Sequence, residues 1–426
     1  MSDPWLSIIG IGEDGLAGLP PASRAALDAA GQVFGAPRHL ALAGVRGQAW
    51  PVPFSLDPLL TRRGQPTAML VSGDPFWHGA GGSVAAVLSP DEWRAFPVPG
   101  TFSLAAARLG WRIEDTLCLG LHAMPLARLR RDLTPGGRAI CLLRDGDAPA
   151  ALAKWLTEQG FGASRLWVME RLGGTAERVR QTTAERFAAG LVAATADARS
   201  DTAGGEQPEA AQVAAQAAPS AIPCAAPAIT APVAVAIEMA GNPGLPRSPG
   251  LPDATFAHDG QITKSPVRAL TLAALAPRRG ELLWDLGAGS GSVAVEWCLA
   301  GGRALAVETR ADRAANIRAN AASFGVDLRV IEARSADAIA ELPDPAAVFV
   351  GGGLDAALFS ALWDRLPPGA RLVVNGVTLE TETLLARLYA THGGKLLRIE
   401  LARAAPLGGM TGWEPARPVV QWSVAR

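Results

Sequence analysis

Leu282-Leu283-Trp284-Asp285-Leu286-Gly287-Ala288-Gly289-Ser290-Gly291 is the stretch whose reading decides the fold. Its first residues form a short apolar run, as a strand covered on both faces requires. Three glycines follow at alternate positions, and Val293, Val295, Trp297 and Leu299 open a helix. Strand, glycine turn and helix together bring backbone N–H groups and a helix N-terminus up to a nucleotide-like ligand. A second strand, Arg303 to Glu308, ends in an acid about 20 residues beyond the first glycine, where a carboxylate can accept ribose hydroxyls.

The spacing narrows the ligand. A dinucleotide fold wants G-x-G-x-x-G, and here the third glycine comes one residue early. That counts against a nicotinamide-dependent oxidoreductase. G-x-G-x-G preceded by Asp285 resembles the first motif of class I methyltransferases, which bind S-adenosylmethionine. The resemblance implies donor contacts at Asp285, Gly287, Ala288, Gly289, Ser290, Gly291 and Glu308. Upstream, Phe256 to Lys264 precedes a helix over Val267 to Leu275. It resembles the segment before that motif in corrin-precursor C15 methyltransferases, where a threonine turn, here Thr263, lies over the methyl donor. Lys264, Arg268 and His258 become candidate substrate contacts; the alternative is a solvated basic helix start. On the helix after Glu308, most of the face with Asn316, Arg318 and Asn320 reads as solvated.

Further strands are expected at Leu328 to Ile331, Ala346 to Val350, Arg371 to Asn375, Leu396 to Leu401 and Val419 to Val424. Gly351-Gly352-Gly353 allows close backbone approach to a flat substrate. The family's Gly-Asp-Ala-Pro turn reads Ala333-Arg334-Ser335-Ala336 here, leaving an adenine contact near the backbone of Ser335. Strands alternating with helices give a doubly wound, mostly parallel α/β sheet.

The N-terminal half repeats the theme on different residues. Trp5 to Ile11 is a strand running into Gly10-Ile11-Gly12, followed by a helix over Pro20 to Ala30. Val33 to Leu40 reads as a strand and turn. Ala68 to Ser72 runs into Gly73-Asp74-Pro75 and Gly79; taken alone, this is a structural turn capped by Asp74. Phe96 to Ser103 reads as a short strand and turn, with a helix over Leu104 to Leu109. In this order the pieces resemble the tetrapyrrole methylase family. Its Pro-Gly-x-Ser-Ser turn reads Pro99-Gly100-Thr101-Phe102-Ser103 here. The resemblance implies donor contacts at Gly10, Gly12, Gly73, Asp74, Pro75, Gly79, Thr101 and Ser103, and makes Arg38 a candidate substrate contact. Ile140 to Leu143, the helix to Gln159, and Val168 to Gly174 resemble the branch that methylates C5 of the corrin precursor.

The expected division is 1–241 for the tetrapyrrole methylase domain, 242–253 for a linker, and 254–426 for the class I domain. About 193–230 is Ala/Pro-rich and lacks periodicity, so it reads as an unstructured insertion before the strand Pro232 to Met239. Together the halves resemble fused precorrin C5,15-methyltransferases that also decarboxylate. That implies one S-adenosylmethionine per domain, a tetrapyrrole substrate, no metal and a homo-oligomer. The alternative is a double methyltransferase acting on RNA or protein.

Composition bounds the partners rather than the reaction. The chain has 426 residues, 49% hydrophobic, with a net charge of -1, which argues against a nucleic-acid partner. Four scattered cysteines, without C-x-x-C, read as thiols in a reducing compartment. The N-terminus lacks a signal-peptide pattern, and no apolar run reaches about 18 residues. A cytoplasmic protein off the membrane is expected. His39, His78, His122 and His258 stand beside glycine turns, each read as structural or substrate-contacting rather than as a base. Arg334 is a further cation for substrate carboxylates.

Overall fold

The computed structural model describes residues 4–77, 79–190 and 228–426. The expected insertion lies outside the described residues over 193–227, as do His78 and Cys224. Two compact units are present: Met1–Met124 with Thr134–Pro243, and Pro125–Leu133 with Gly244–Arg426.

The first unit opens with β1 (Leu6–Ile11), α1 (Pro21–Asp28), β2 (Gln32–Gly35), α2 (Pro37–Leu42), β3 (Gln48–Ala49), α3 (Asp57–Leu60), β4 (Thr67–Ser72), α4 (Gly81–Ala85) and β5 (Trp93–Phe96). These strands make a parallel sheet in the order β3-β2-β4-β1-β5. Alternate residues of a strand face opposite sides. Leu6 and Ile8 therefore join Phe34, Met69 and Val71 on one face, while Ile9 and Ile11 join Val33, Ala68 and Leu70 on the other. Both faces are covered, so the strands are apolar throughout rather than alternating.

The same unit continues with α5 (Thr101–Leu109), β6 (Leu117–Gly120), β7 (Arg138–Leu143), α6 (Ala148–Glu158), β8 (Arg165–Glu170), β9 (Arg178–Thr183), α7 (Ala184–Ala188) and β10 (Val233–Glu238). The sheet order is β6-β7-β10-β8-β9, with β10 antiparallel to both of its neighbours. Two sequence expectations change here. Arg38 and His39 lie in helix α2, not in a turn, because Pro37 stands at a first helical position, where its fixed φ favours helix. Thr101 and Ser103 open helix α5 rather than forming a turn before it.

The second unit comprises α8 (Ser265–Leu275), β11 (Leu282–Leu286), α9 (Ser292–Leu299), β12 (Arg303–Glu308), α10 (Ala311–Phe324), β13 (Leu328–Glu332), α11 (Ser335–Ala338), β14 (Ala347–Val350), α12 (Ala356–Arg365), β15 (Arg371–Gly376), α13 (Leu379–His392), β16 (Lys395–Ile399), β17 (Ala402–Leu407), β18 (Met410–Pro415) and β19 (Val419–Ala425). Seven strands run β13-β12-β11-β14-β15-β19-β16, parallel except for β19. Trp284 and Leu286 pack with Val348, Val350, Leu372 and Trp422, while Leu283 faces Val293, Trp297 and Phe349. Burying such a side chain contributes about 1.5–3 kcal/mol. The chain leaves β11 toward β12 on one side and returns to β14 on the other. The carboxyl end of β11 is therefore the switch point where open α/β sheets place ligands.

Candidate active sites

The glycine turn of the second unit sits at that switch point. Gly287, Gly289 and Gly291 all have left-handed φ, at 64°, 58° and 70°, which side-chain-bearing residues rarely adopt. The N–H groups of Gly287 and Ala288 both donate to the Val307 carbonyl, at 2.9 and 3.1 Å. A Cβ on Gly291 would stand 2.7 Å from a methyl of Ile317; one on Gly289 would meet only the Gln261 carbonyl, at 3.5 Å. The Gly352 carbonyl, from the turn after β14, would lie 3.2 Å from a Cβ on Gly287, so the triple glycine borders the same turn. Ser335 opens α11, directly after β13 at the same edge of the sheet.

The two acids of the motif have different tasks. Glu308 accepts the Gly289 N–H at 2.9 Å through one oxygen and the Arg310 N–H at 3.0 Å through the other. It fixes the turn from the neighbouring strand. Asp285 is 1% exposed. One of its oxygens accepts the Ala294 N–H at 3.2 Å, in the first turn of α9, and the other has no partner among the described residues. Burial, with the charge of Glu308 adding to it, pushes the Asp285 carboxyl up to about 8. Asp285 thus braces the turn from beneath, with its second oxygen left without a partner among the described residues.

A strap over residues 256–264 lies across this turn, as the closeness of Gln261 to Gly289 shows. Asn320 is what holds it. This buried side chain accepts the Ala257 N–H at 2.8 Å and donates to the carbonyls of Ala257 at 3.0 Å and Ser290 at 2.9 Å. The expectation that this face is solvated fails at Asn320. The legible signal was register: Ala314, Ile317, Asn320 and Phe324 form the buried stripe of α10. Asp259 adds an ion pair to Arg313 at 2.9 Å, which lowers its pKa.

Arg268 is not a substrate contact. It is fully buried and bonds Glu296 at 2.6 Å, Asp253 at 3.2 Å, and the carbonyls of Thr263 and Leu251. Glu296 in turn accepts the N–H groups of Gly250 at 2.6 Å and Leu251 at 3.0 Å. Sequence reasoning missed this because a lone Arg near a helix start looks solvated. Lys264 is half exposed, 3.7 Å from Asp253. The His258 ring accepts the Gly260 N–H at 3.0 Å, shaping the strap.

In the first unit the expected glycine turns converge at the carboxyl ends of β1 and β4. A Cβ on Gly10 would stand 1.9 Å from the Gly73 carbonyl, and one on Gly73, at φ 57°, 2.7 Å from the Cα of Gly100. Backbone packs on backbone there, and only glycine permits that approach. Asp74 accepts the Phe76 N–H at 2.8 Å, the capping role open to it from sequence. The Pro75 carbonyl accepts the Gly81 N–H at 2.9 Å and leaves no room for a side chain at Gly79. A Cβ on Gly12 would meet the Asp14 carboxylate at 2.6 Å. At the start of α5, Thr101 is half-buried and Ser103 exposed. Phe102 between them packs with Ala105, Ile140 and Met169, so an apolar residue there completes a core. Arg38 pairs with Glu13 and donates to the Ser72 hydroxyl at 2.9 Å. His39, 3.1 Å from the same hydroxyl, is lowered to about 4 by burial and then by the charge of Arg38.

Comparison with known proteins matches a family to each part of the chain. Residues 6–188 match the family described as Tetrapyrrole (Corrin/Porphyrin) Methylases, and residues 254–426 match the Precorrin methyltransferase domain. A Sinorhizobium protein named precorrin-6Y C(5,15)-methyltransferase [decarboxylating] is 44% identical, over 99% of this chain and 96% of its own length. The chain belongs to the precorrin-6Y C5,15-methyltransferase (decarboxylating) family. A member of the family from Mycobacterium tuberculosis is 39% identical over 98% of this chain and 99% of its own. The solved C-terminal domain of the Rhodobacter capsulatus precorrin-6Y C5,15-methyltransferase is 60% identical, covering 43% of this chain and all (100%) of that one, with a TM-score of 0.42. The architecture is accordingly a tetrapyrrole methylase domain followed by a class I methyltransferase domain. Among the described residues no helix is long and apolar enough to cross a membrane.

Proposed function

We propose that this chain methylates a corrin precursor at C5 and C15 and decarboxylates an acetate arm, in the cytoplasm, as a step toward cobalamin. The observation that carries the reading is the pair of separate glycine turns at strand ends, one in each unit. We assign one S-adenosylmethionine to each turn, with C15 methylation and decarboxylation in 254–426, C5 methylation in 1–241, and 242–253 as linker. Bound donor supplies an electrophilic methyl on a sulfonium. The protein's work is then to hold an electron-rich bridge carbon in line with that methyl and to exclude water. In the second unit the Gly287–Gly291 turn offers backbone N–H groups, Glu308 takes the ribose edge, Asp285 braces the turn, and the 256–264 strap with Thr263 covers the donor. In the first, Gly10, Gly12, Gly73 and Gly79 open the space that Asp74, Pro75, Thr101 and Ser103 border. Carbon dioxide leaves with the macrocycle's own imine as electron sink, so the reading invokes no metal.

Gly289→Val should abolish C15 methylation and carbon dioxide release, while Gly73→Val with Asp74→Ala should remove only the C5 methyl. An anaerobic assay counting methyl groups and carbon dioxide by mass decides. Loss of decarboxylation in the Gly73/Asp74 variant, with one donor still bound, would overturn the division of labour. We also propose a homo-oligomer, supported by the β17–β18 hairpin, where Leu407 is 70%, Met410 79% and Trp413 77% exposed. A two-stranded hairpin is marginal alone in water. Trp413→Asp should lower the mass seen by light scattering.

A further inference from the structure

Beside the first unit's glycine turns lies a cation cluster that the donor site does not use. Arg38 starts α2 after β2, Ser72 ends β4 next to Gly73, and Glu13 follows the Gly12 turn. Arg38 spans them, pairing with Glu13 and bonding Ser72 at 2.9 Å, with 41% of its side chain still exposed. A second guanidinium enters from the turn after β8. The Arg171 carbonyl accepts the Gly174 N–H at 3.1 Å, and Gly174 abuts Glu13 so closely that a Cβ there would stand 2.7 Å from the Glu13 Cβ. Arg171 is exposed, and no carboxylate pairs with it among the described residues. Its charge is felt at Arg38, where burial first and Arg171 second lower the pKa. His39 cannot balance or add to this charge near neutral pH, since it is held neutral. Two guanidinium groups thus face one carboxylate, and the excess positive charge is open to solvent at the rim of the site.

The backbone of Arg171 sharpens the point. Its φ is 49°, the left-handed region that disfavours any residue with a Cβ. Glycine would suit that turn better, and strained non-glycine residues concentrate where a side chain is needed. A forked guanidinium matches a carboxylate with two parallel hydrogen bonds, which a point-charge ammonium does not.

We propose that Arg171 and Arg38, with the Ser72 hydroxyl between strand end and helix, form a docking site for a carboxylate arm of the first unit's substrate. This rests on the proposed action on a polycarboxylated tetrapyrrole. Arg171 is the specificity-determining member, because Arg38 is already shared with Glu13.

The test uses the full chain with Arg171→Gly and Arg171→Lys. Arg171→Gly relieves the backbone, so it should melt no lower than wild type, which separates binding from structure. In the C5 reaction its KM should rise at least about tenfold with kcat within about threefold, a binding loss of about 1.4 kcal/mol per factor of ten. Arg171→Lys should fall between, and carbon dioxide release should be unchanged. In parallel, uroporphyrin I, an octacarboxylate, is titrated by fluorescence against all three chains with S-adenosylmethionine affinity as control. One class of uroporphyrin site should weaken about tenfold in Arg171→Gly at unchanged donor affinity. Equal uroporphyrin binding by all three chains, no binding by wild type, or an equal loss of donor affinity would each overturn the site. If wild type methylates no precursor yet Arg171→Gly still loses uroporphyrin, the reaction assignment fails and the carboxylate site stands.

Discussion

Asp285 and His39 are displaced from their ordinary protonation in opposite directions, with opposite consequences for stability. Asp285 rises from 3.8 to about 8 on folding, so the folded chain holds a proton that the unfolded chain has lost. Its contribution is complete below 3.8 and is lost as pH rises through about 8. Asp285→Asn mimics the protonated acid, so its melting temperature relative to wild type should climb between about pH 5 and about pH 8. A flat difference would show that the carboxyl ionises normally. His39 falls from 6.5 to about 4, so its contribution is present above 6.5 and is lost as pH drops toward 4. His39→Gln should flatten the melting profile across that acid window. The glycines separate similarly. Gly291→Ala meets Ile317 as well as a left-handed φ and should lower the melting temperature. Gly289→Ala should cost only about 1–2 kcal/mol of backbone energy while losing donor binding by calorimetry.

At the scale of elements, helix α10 and the strap it carries are one working part. Asn320→Leu would strand two carbonyls and an N–H, costing about 1–3 kcal/mol. More tellingly, it should free the strap and weaken donor affinity in the second unit, whereas Asn320→Asp, which keeps the bond from the Ala257 N–H, should lose less. Arg268→Met leaves Glu296 buried without its partner and should destabilise by about 3–5 kcal/mol, read by denaturant unfolding, with activity per folded molecule little changed. A selective rise in substrate KM would restore Arg268 as a substrate contact. Elements defined by continuous apolar runs could be read from sequence: β11 and β12 begin and end where the runs place them, and α9 opens directly after the glycine turn, although it ends at Leu299, within the residues expected only to open it. Elements defined by partnership could not. β9 carries Arg180 inward to meet Glu170 at 2.9 Å, so its pattern does not alternate. The β17–β18 hairpin is exposed along both strands, apolar residues included, so it lacks the burial pattern of a core strand, and its only local sign was Gly408-Gly409 between two short runs, a known hairpin turn pair.

For the whole molecule, two separately cored units make lesions in different halves independent, so the costs of Gly291→Ala and Gly10→Ala should add within about 0.5 kcal/mol. The glycine turns of both sites were legible because a backbone requirement leaves its mark in residue type. The brace beneath the turn, the Asn320 staple and the Arg38–Arg171 pair were not, since each joins residues far apart in sequence through side chains that look solvated on their own.

Strand β10 has a consequence for how the polypeptide can be divided. It is the middle strand of its sheet, yet it enters after β7 and β8 have been laid down with a gap between them. A fragment ending at residue 190 would carry two open strand edges, a template for aggregation. A companion fragment beginning at residue 228 would bring the missing strand together with the whole class I domain. Co-expressed, the pieces should find each other, because ladders on both sides of β10 replace the severed peptide link. The expected result is a split enzyme that co-purifies as one species through a tag on either piece, whereas the N-terminal piece made alone should be insoluble.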